Sequence, residues 1–104
     1  MQFAIIAYDG TDSEAFARRQ NIRPKHIEGL KKGIAAGEHL FGGAILDDDG
    51  NMIGSIMIVD YPSKEAMESE WLNSEAYVTG GVWKDITIKP FRTVPFFLDP
   101  EAGS

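Results

Sequence analysis

Unbroken apolar runs and spaced apolar stripes follow one another along this chain, and their succession predicts its elements. Phe3-Ala4-Ile5-Ile6-Ala7-Tyr8 is a short uninterrupted run ended by Asp9-Gly10. It reads as a strand buried on both faces or nearly so. Thr11-Asp12-Ser13-Glu14 has capping-box spacing and predicts a short helix to about Arg19, with Thr11 as N-cap. Pro24 is expected to interrupt any single long helix and to open a new one, where its missing N–H costs nothing. In that second helix Ile27, Leu30 and Ile34 form a one-sided stripe, and Gly37 suits the position just past its end.

Leu40–Leu46 and Met52–Val59 are two more apolar runs, separated by Asp47-Asp48-Asp49-Gly50-Asn51. The Asp-Gly step predicts that they form a β-hairpin. Ser63 is placed to cap a helix whose stripe is Ala66, Met67 and Trp71. Glu75–Gly81 reads as a loop or a single turn. Val82, Lys84, Ile86 and Ile88 share one alternation and predict a strand to Phe91. Pro90 and Pro95 confine the last stretch of chain to an edge or a tail, and Asp99–Ser104 reads as a frayed end.

The resulting order is strand, helix, strand, strand, helix, strand. That is the α+β, ferredoxin-like split βαβ pattern on an antiparallel sheet, with Phe3–Tyr8 central. Residues 1–98 are expected to form one domain and 99–104 a tail. Helices on one sheet face leave apolar side chains bare on the other, and pairing two sheets in a homodimer would cover them.

A chain of 104 residues with 43% hydrophobic residues has room for one domain with a core and little more. Its net charge of -6 argues against nucleic acid or an anionic membrane as partner, since those require clustered Lys and Arg. The local concentration of basic residues from Arg18 to Lys32 is either an anion site or the solvated side of a helix. The absence of cysteine removes disulfides, Cys-based zinc sites and thiol nucleophiles. The N-terminal residues lack the basic and long apolar regions of a signal peptide, and no apolar run nears the roughly 20 residues that span a bilayer. A soluble, cytoplasmic protein is expected.

The candidate chemistry centres on His26, one of two histidines. Histidine titrates near neutrality, which suits acid/base work. His26 lies beside Ile27 and one turn before Leu30, at the edge of the stripe; a helix-edge histidine bonded to backbone or water fits that position equally. Arg19 and Arg23 can clamp a carboxylate or enolate oxygen, or pair with Glu14 or Glu28 at the surface. Tyr77 and Trp83 flank Gly80-Gly81 and either wall an aromatic ligand or pack the core. His39, at a strand start, reads as structural or exposed.

No metal is expected, because the histidines lack close ligand spacing and Asp47-Asp48-Asp49-Gly50 lacks the alternation of a calcium loop. Nucleotide-loop and Gly-x-Ser-x-Gly patterns are absent, which disfavours nucleotide cofactors and serine hydrolysis.

Particular segments together resemble the YciI-like family over nearly the whole chain. They are Arg18-Arg19 with Arg23-Pro24-Lys25-His26; Ala36-Gly37-Glu38-His39-Leu40-Phe41-Gly42-Gly43; Gly50–Asp60 with Pro62-Ser63-Lys64-Glu65-Ala66; and Glu75-Ala76-Tyr77-Val78 with Gly80-Gly81-Val82-Trp83 and Lys89-Pro90-Phe91. The resemblance implies a ferredoxin-like domain that forms a dimeric α+β barrel. It also implies an active site built on a histidine, matched by His26, and an acid, matched by Glu75. One family member is a dehydrochlorinase acting on a chlorinated hydroxyhydroquinone, and fold relatives include muconolactone isomerase and small cofactor-free monooxygenases. Glu75-Ala76-Tyr77 departs from the family's Asp-Pro-Tyr: the charge stays, a methylene is added, and a rigid residue is lost.

The expectation is a cofactor-independent lyase or isomerase acting on a small hydroxylated cyclic substrate. His26 would be the base, Glu75 its orienting acid, and Arg23 the stabiliser of negative charge. The pocket would lie between sheet and helices, lined by His26, Arg23, Tyr77 and Glu75, with Arg19 and Trp83 as further binding residues. The alternative is a non-catalytic dimeric small-molecule binding or accessory module.

Overall fold

The computed structural model describes residues 1–102 of the chain. Strands β1 (Gln2–Asp9), β2 (His39–Leu46), β3 (Met52–Asp60) and β4 (Trp83–Phe91) form one antiparallel sheet in the order β2-β3-β1-β4. β1 is central: Ile5 pairs with Met57 on one side and with Ile88 on the other. Pro90 is tolerated because β4 is an edge strand. This order and register are those of a ferredoxin-like α+β fold.

Side chains alternate across a strand, so Phe3, Ile5 and Ala7 share a face with their partners Val59, Met57 and Ser55. Helices α1 (Ala15–Ala35), α2 (Lys64–Glu70) and α3 (Ala76–Thr79) supply the rest of the core on that face. Met67, Tyr77, Ile22 and Leu30 pack with Phe3, Ile5, Met57 and Val59, and Trp71 and Leu72 join them from the 3₁₀ turn region after α2. The opposite face keeps Ile56, Phe91 and Phe41 exposed, Phe41 at 74%. The chain ends in a short helix, α4 (Pro95–Leu98), anchored just before its start by Gln2 Oε1, which accepts hydrogen bonds from Thr93 N and Oγ1 at 2.8 and 2.6 Å. The expected frayed end Asp99–Ser104 falls partly outside the described residues, at 103 and 104.

The predicted break at Pro24 does not occur. α1 is one helix of 21 residues with Pro24 inside it. Pro24 is exposed, so the single carbonyl it leaves without an N–H partner faces water rather than the core. The helix also starts later than the capping-box spacing implies. Thr11 makes no cap; instead the Asp12 carbonyl accepts from Ala15 N at 3.1 Å, and Asp12 Oδ2 accepts from Glu14 N at 3.3 Å.

The inward face is corrected too. The residues turned to the sheet are Ala15, Arg19, Ile22, His26, Leu30 and Gly33, a 3.6-residue period, whereas Ile34 is 57% exposed. At the helix end the expectation holds: Gly37 has φ +74, its N–H reaches Ile34 O at 3.1 Å, and Glu38 N reaches Gly33 O at 2.9 Å. The hairpin and the Ser63 cap also form as expected, with Ser63 Oγ accepting from Ala66 N at 3.0 Å.

Candidate active site

Of the two readings of Glu75–Gly81, the single turn applies: α3 (Ala76–Thr79) is about one turn of helix with Glu75 at its N-cap. Carboxylates suit that position because they accept from the first free N–H groups. Glu75 Oε1 accepts from Tyr77 N at 3.3 Å and lies 2.5 Å from His26 Nδ1, while Oε2 accepts from Trp71 Nε1 at 3.0 Å. Burial pushes the Glu75 pKa up, but the hydrogen bond and charge of His26, the Tyr77 amide and the Trp71 indole outweigh it and hold the carboxyl below its usual range. Glu75 is therefore an ionised acceptor, which assigns the hydrogen to His26 Nδ1. Nε2 has no hydrogen-bond partner among the described residues. The extra methylene of Glu75 does not keep it from His26.

His26 stacks on Tyr77 with centroids 4.0 Å apart and planes 11° from parallel, and Trp83 meets its edge at 6.0 Å. The Arg19 guanidinium lies 4.7 Å from the Tyr77 ring centre. Arg19 is only 3% exposed and its partner is neither Glu14 nor Glu28. Its Nη1 contacts both oxygens of Asp9 at 2.9 and 3.0 Å, and its Nη2 donates to Ser55 Oγ at 2.8 Å. Trp83 Nε1 donates to the same Oγ at 3.2 Å.

Between α1 and the sheet lies a cavity of about 180 Å³. It is open because β2 turns only Gly42 and Ala44 toward it, paired with Met57 and Ser55, where larger side chains would narrow it. Arg19, Arg23, His26 and Tyr77 line it, with Ser55. Glu75 does not line it but stands behind His26, and Trp83 stands behind Ser55 and Tyr77.

Asp9, Ser55 and Trp71 were not singled out by pattern. Ser55 carried one signal: it is a polar residue in the apolar run Met52–Val59. Asp9 read only as a strand end, and Trp71 only as part of a stripe. His39 is buried, with Nε2 3.1 Å from Tyr61 Oη and its ring edge-on to Trp71 at 5.0 Å, so of the two readings the structural one applies. Among the described residues no group of three or more His, Cys, Asp or Glu is placed to hold a metal ion. No helix among them is long and apolar enough to cross a membrane.

A ferredoxin-like domain with a buried imidazole–carboxylate pair beside a small cavity defines the class. The chain belongs to the YCII-related domain family, whose pattern matches residues 1–92. It is 31% identical to the protein YciI of Escherichia coli over 100 residues, covering 90% of this chain and 99% of that one. An uncharacterized protein of Haemophilus influenzae is 28% identical over the same length, with the same coverage. Among solved structures, the 5-chloro-2-hydroxyhydroquinone dehydrochlorinase of Burkholderia phenoliruptrix, in complex with 2,5-dihydroxybenzoquinone, superposes with a TM-score of 0.77 at 21% identity, covering 91% of this chain and 97% of that one. An antibiotic biosynthesis monooxygenase superposes at 0.53 with 16% identity, covering 89% and 99%. These structures share the fold.

Proposed function

We propose that this protein is a cofactor-independent lyase or isomerase for a small hydroxylated ring, with His26 as general base and Glu75 as the acid that orients it. The observation that carries this is the 2.5 Å contact between His26 Nδ1 and Glu75 Oε1 at the wall of a cavity of about 180 Å³. A cavity of about 150 Å³ holds a benzene ring, so this one suits a single substituted ring. The dehydrochlorinase of the same fold, crystallised with a dihydroxybenzoquinone, supports that choice of substrate class.

With Nδ1–H directed to Glu75, Nε2 takes a proton from a ring hydroxyl or an acidic C–H. The electron pair released enters the ring. In a lyase reaction it expels a leaving group such as chloride; in an isomerisation a ring carbon takes the proton back from His26. Arg23, exposed on the cavity wall, faces negative charge that develops on a ring oxygen. Tyr77, stacked on His26, keeps the imidazole plane fixed. A second copy of the chain, covering Phe41, Ile56 and Phe91, completes the working form as a homodimer.

The rival reading is a binding module. It is favoured by the completeness of the Glu75 contacts, which satisfy the carboxylate without any proton transfer. Turnover of a panel of chlorinated and hydroxylated quinols separates the two. Wild type is expected to convert at least one compound, and His26→Ala to lose roughly 10²- to 10⁴-fold in kcat/KM. Full turnover by His26→Ala would end the proposal.

A further inference from the structure

Ser55 is 3% exposed and sits in β3 on the face beneath α1. A serine hydroxyl has two acceptor lone pairs and one O–H. Arg19 Nη2 at 2.8 Å and Trp83 Nε1 at 3.2 Å both direct N–H groups at Oγ. Neither guanidinium nor indole can accept a hydrogen bond. Both lone pairs are engaged, so the hydroxyl can act further only as a donor. No acceptor for that O–H is found among the described residues.

The same cavity wall holds two more donors in the same condition. Tyr77 is fully buried with Oη unpartnered, and Arg19 Nε is buried and unpartnered. Buried donors without acceptors are costly and uncommon in native proteins. All three residues line the same cavity, so donors short of acceptors cluster about it. The charge of Arg19, held in place by both Asp9 oxygens, also strengthens the Ser55 O–H as a donor.

We infer that Ser55 contacts the substrate and donates its O–H to an anionic ring oxygen, a phenolate or enolate, with Arg19 and Trp83 as positioning residues that turn the hydroxyl into the cavity. This rests on the cavity being the substrate site and adds the ionised state of the ligand and the buried group that meets its charge. Arg23 at the exposed wall then attracts the anion, and Ser55 binds it.

The test uses the full-length protein and two probes, 4-nitrophenolate and nitrobenzene. They share a ring and differ in the ionised oxygen. Calorimetric titration is expected to show wild type preferring the phenolate. Ser55→Ala should weaken phenolate binding roughly 10- to 100-fold and leave nitrobenzene binding unchanged. Trp83→Phe frees one lone pair of Ser55, relaxes the constraint on the O–H, and should reduce the preference by a smaller factor.

A crystal of wild type with 4-nitrophenolate should place the phenolate oxygen about 2.5–2.7 Å from Ser55 Oγ. If Ser55→Ala does not fold, this crystal and Trp83→Phe still decide the matter. Absence of binding, equal binding of both probes by wild type, or a phenolate oxygen seated away from Ser55 overturns the inference. Binding needs no turnover, so a failed substrate screen leaves this result standing. Loss of the phenolate preference leaves the His26 test untouched.

Discussion

Gly33 and His39 meet so closely that a Cβ on Gly33 would lie 2.1 Å from His39 Nδ1. Contact at this point is what lets α1 settle onto the first residue of β2. The imidazole has nowhere to go, because Tyr61 holds its Nε2 and the Trp71 ring closes its edge. Gly33→Ala gains about 1 kcal/mol in helix propensity but forces an overpacked contact costing about 1–3 kcal/mol. We expect a net loss of up to about 2 kcal/mol in urea denaturation. In a His39→Ala background the same change should become neutral or stabilising, since the clash is gone. An unchanged penalty there would show that the clash is not with His39.

His39 also sets a pH response. Burial, its largest perturbation, pulls its pKa below the usual 6.5; Glu75 opposes this and His26 reinforces it. A folded-state pKa below the unfolded one means that the unfolded chain binds the proton first. The stability held above about pH 6.5 is therefore lost progressively as pH falls below that value, until the folded pKa is reached. Glu75 acts in a separate window: its lowered pKa contributes stability above about pH 4.5 that is lost as pH falls through the folded value. Urea midpoints measured from pH 7.5 to pH 5 should fall for wild type and flatten in His39→Phe. A wild-type curve that is flat over this range would contradict the burial of a neutral imidazole.

Glu75 answers three donors with two oxygens, and this makes its isosteric amide informative. In Glu75→Gln one end of the side chain becomes NH₂. Facing either way, it sets a donor against a fixed donor, Trp71 Nε1–H on one side or the Tyr77 backbone N–H on the other, although His26 can change tautomer to accept. The expected cost is about 1–3 kcal/mol, the price of a buried donor left unpaired. Trp71→Phe removes one of the competing donors, so Glu75→Gln should cost less in that background. Additive effects of the two changes, measured by chemical denaturation, would mean that they do not share the carboxylate.

The sheet was legible because three strands are apolar runs with marked ends, the fourth alternates through Ile86 and Ile88, and Asp49-Gly50 announces the hairpin. α1 was not, and the reason is chemical. Its inward face carries Arg19, His26 and Gly33, which a search for apolar spacing discards, while Ile34 on the outer side completes a false stripe. Pro24 added a second misdirection, since a proline break is a local rule and the inward face runs past it.

The same displacement hides the site. Arg19 is turned inward because Asp9 and Ser55 await it, ten and 36 positions away, and no local pattern reports such partners. Nor does spacing join His26 to Glu75, 49 positions apart; only the family resemblance names both. Polar residues on a helix face that packs a sheet are thus the legible trace of this kind of site, once the face has been phased correctly.

The cavity itself depends on what β2 leaves out. Ala44 pairs with Ser55 across the β2–β3 ladder, shares its face, and lines the cavity. A larger side chain there projects into space that the fold leaves empty. Ala44 is exposed, so Ala44→Leu adds about three carbons at the rim of the cavity, and stability should change by less than about 1 kcal/mol. Its added carbons also take up part of the 180 Å³ volume, so 4-nitrophenolate binding should weaken. Gly42 is a poorer choice for this test, because a Cβ there already lies 3.3 Å from both Ile56 O and Met57 Cγ. Retained affinity in a folded Ala44→Leu protein would place the ligand outside the space beneath α1. Lost affinity together with lost stability would show instead that β2 is packed more tightly against α1 than this volume implies.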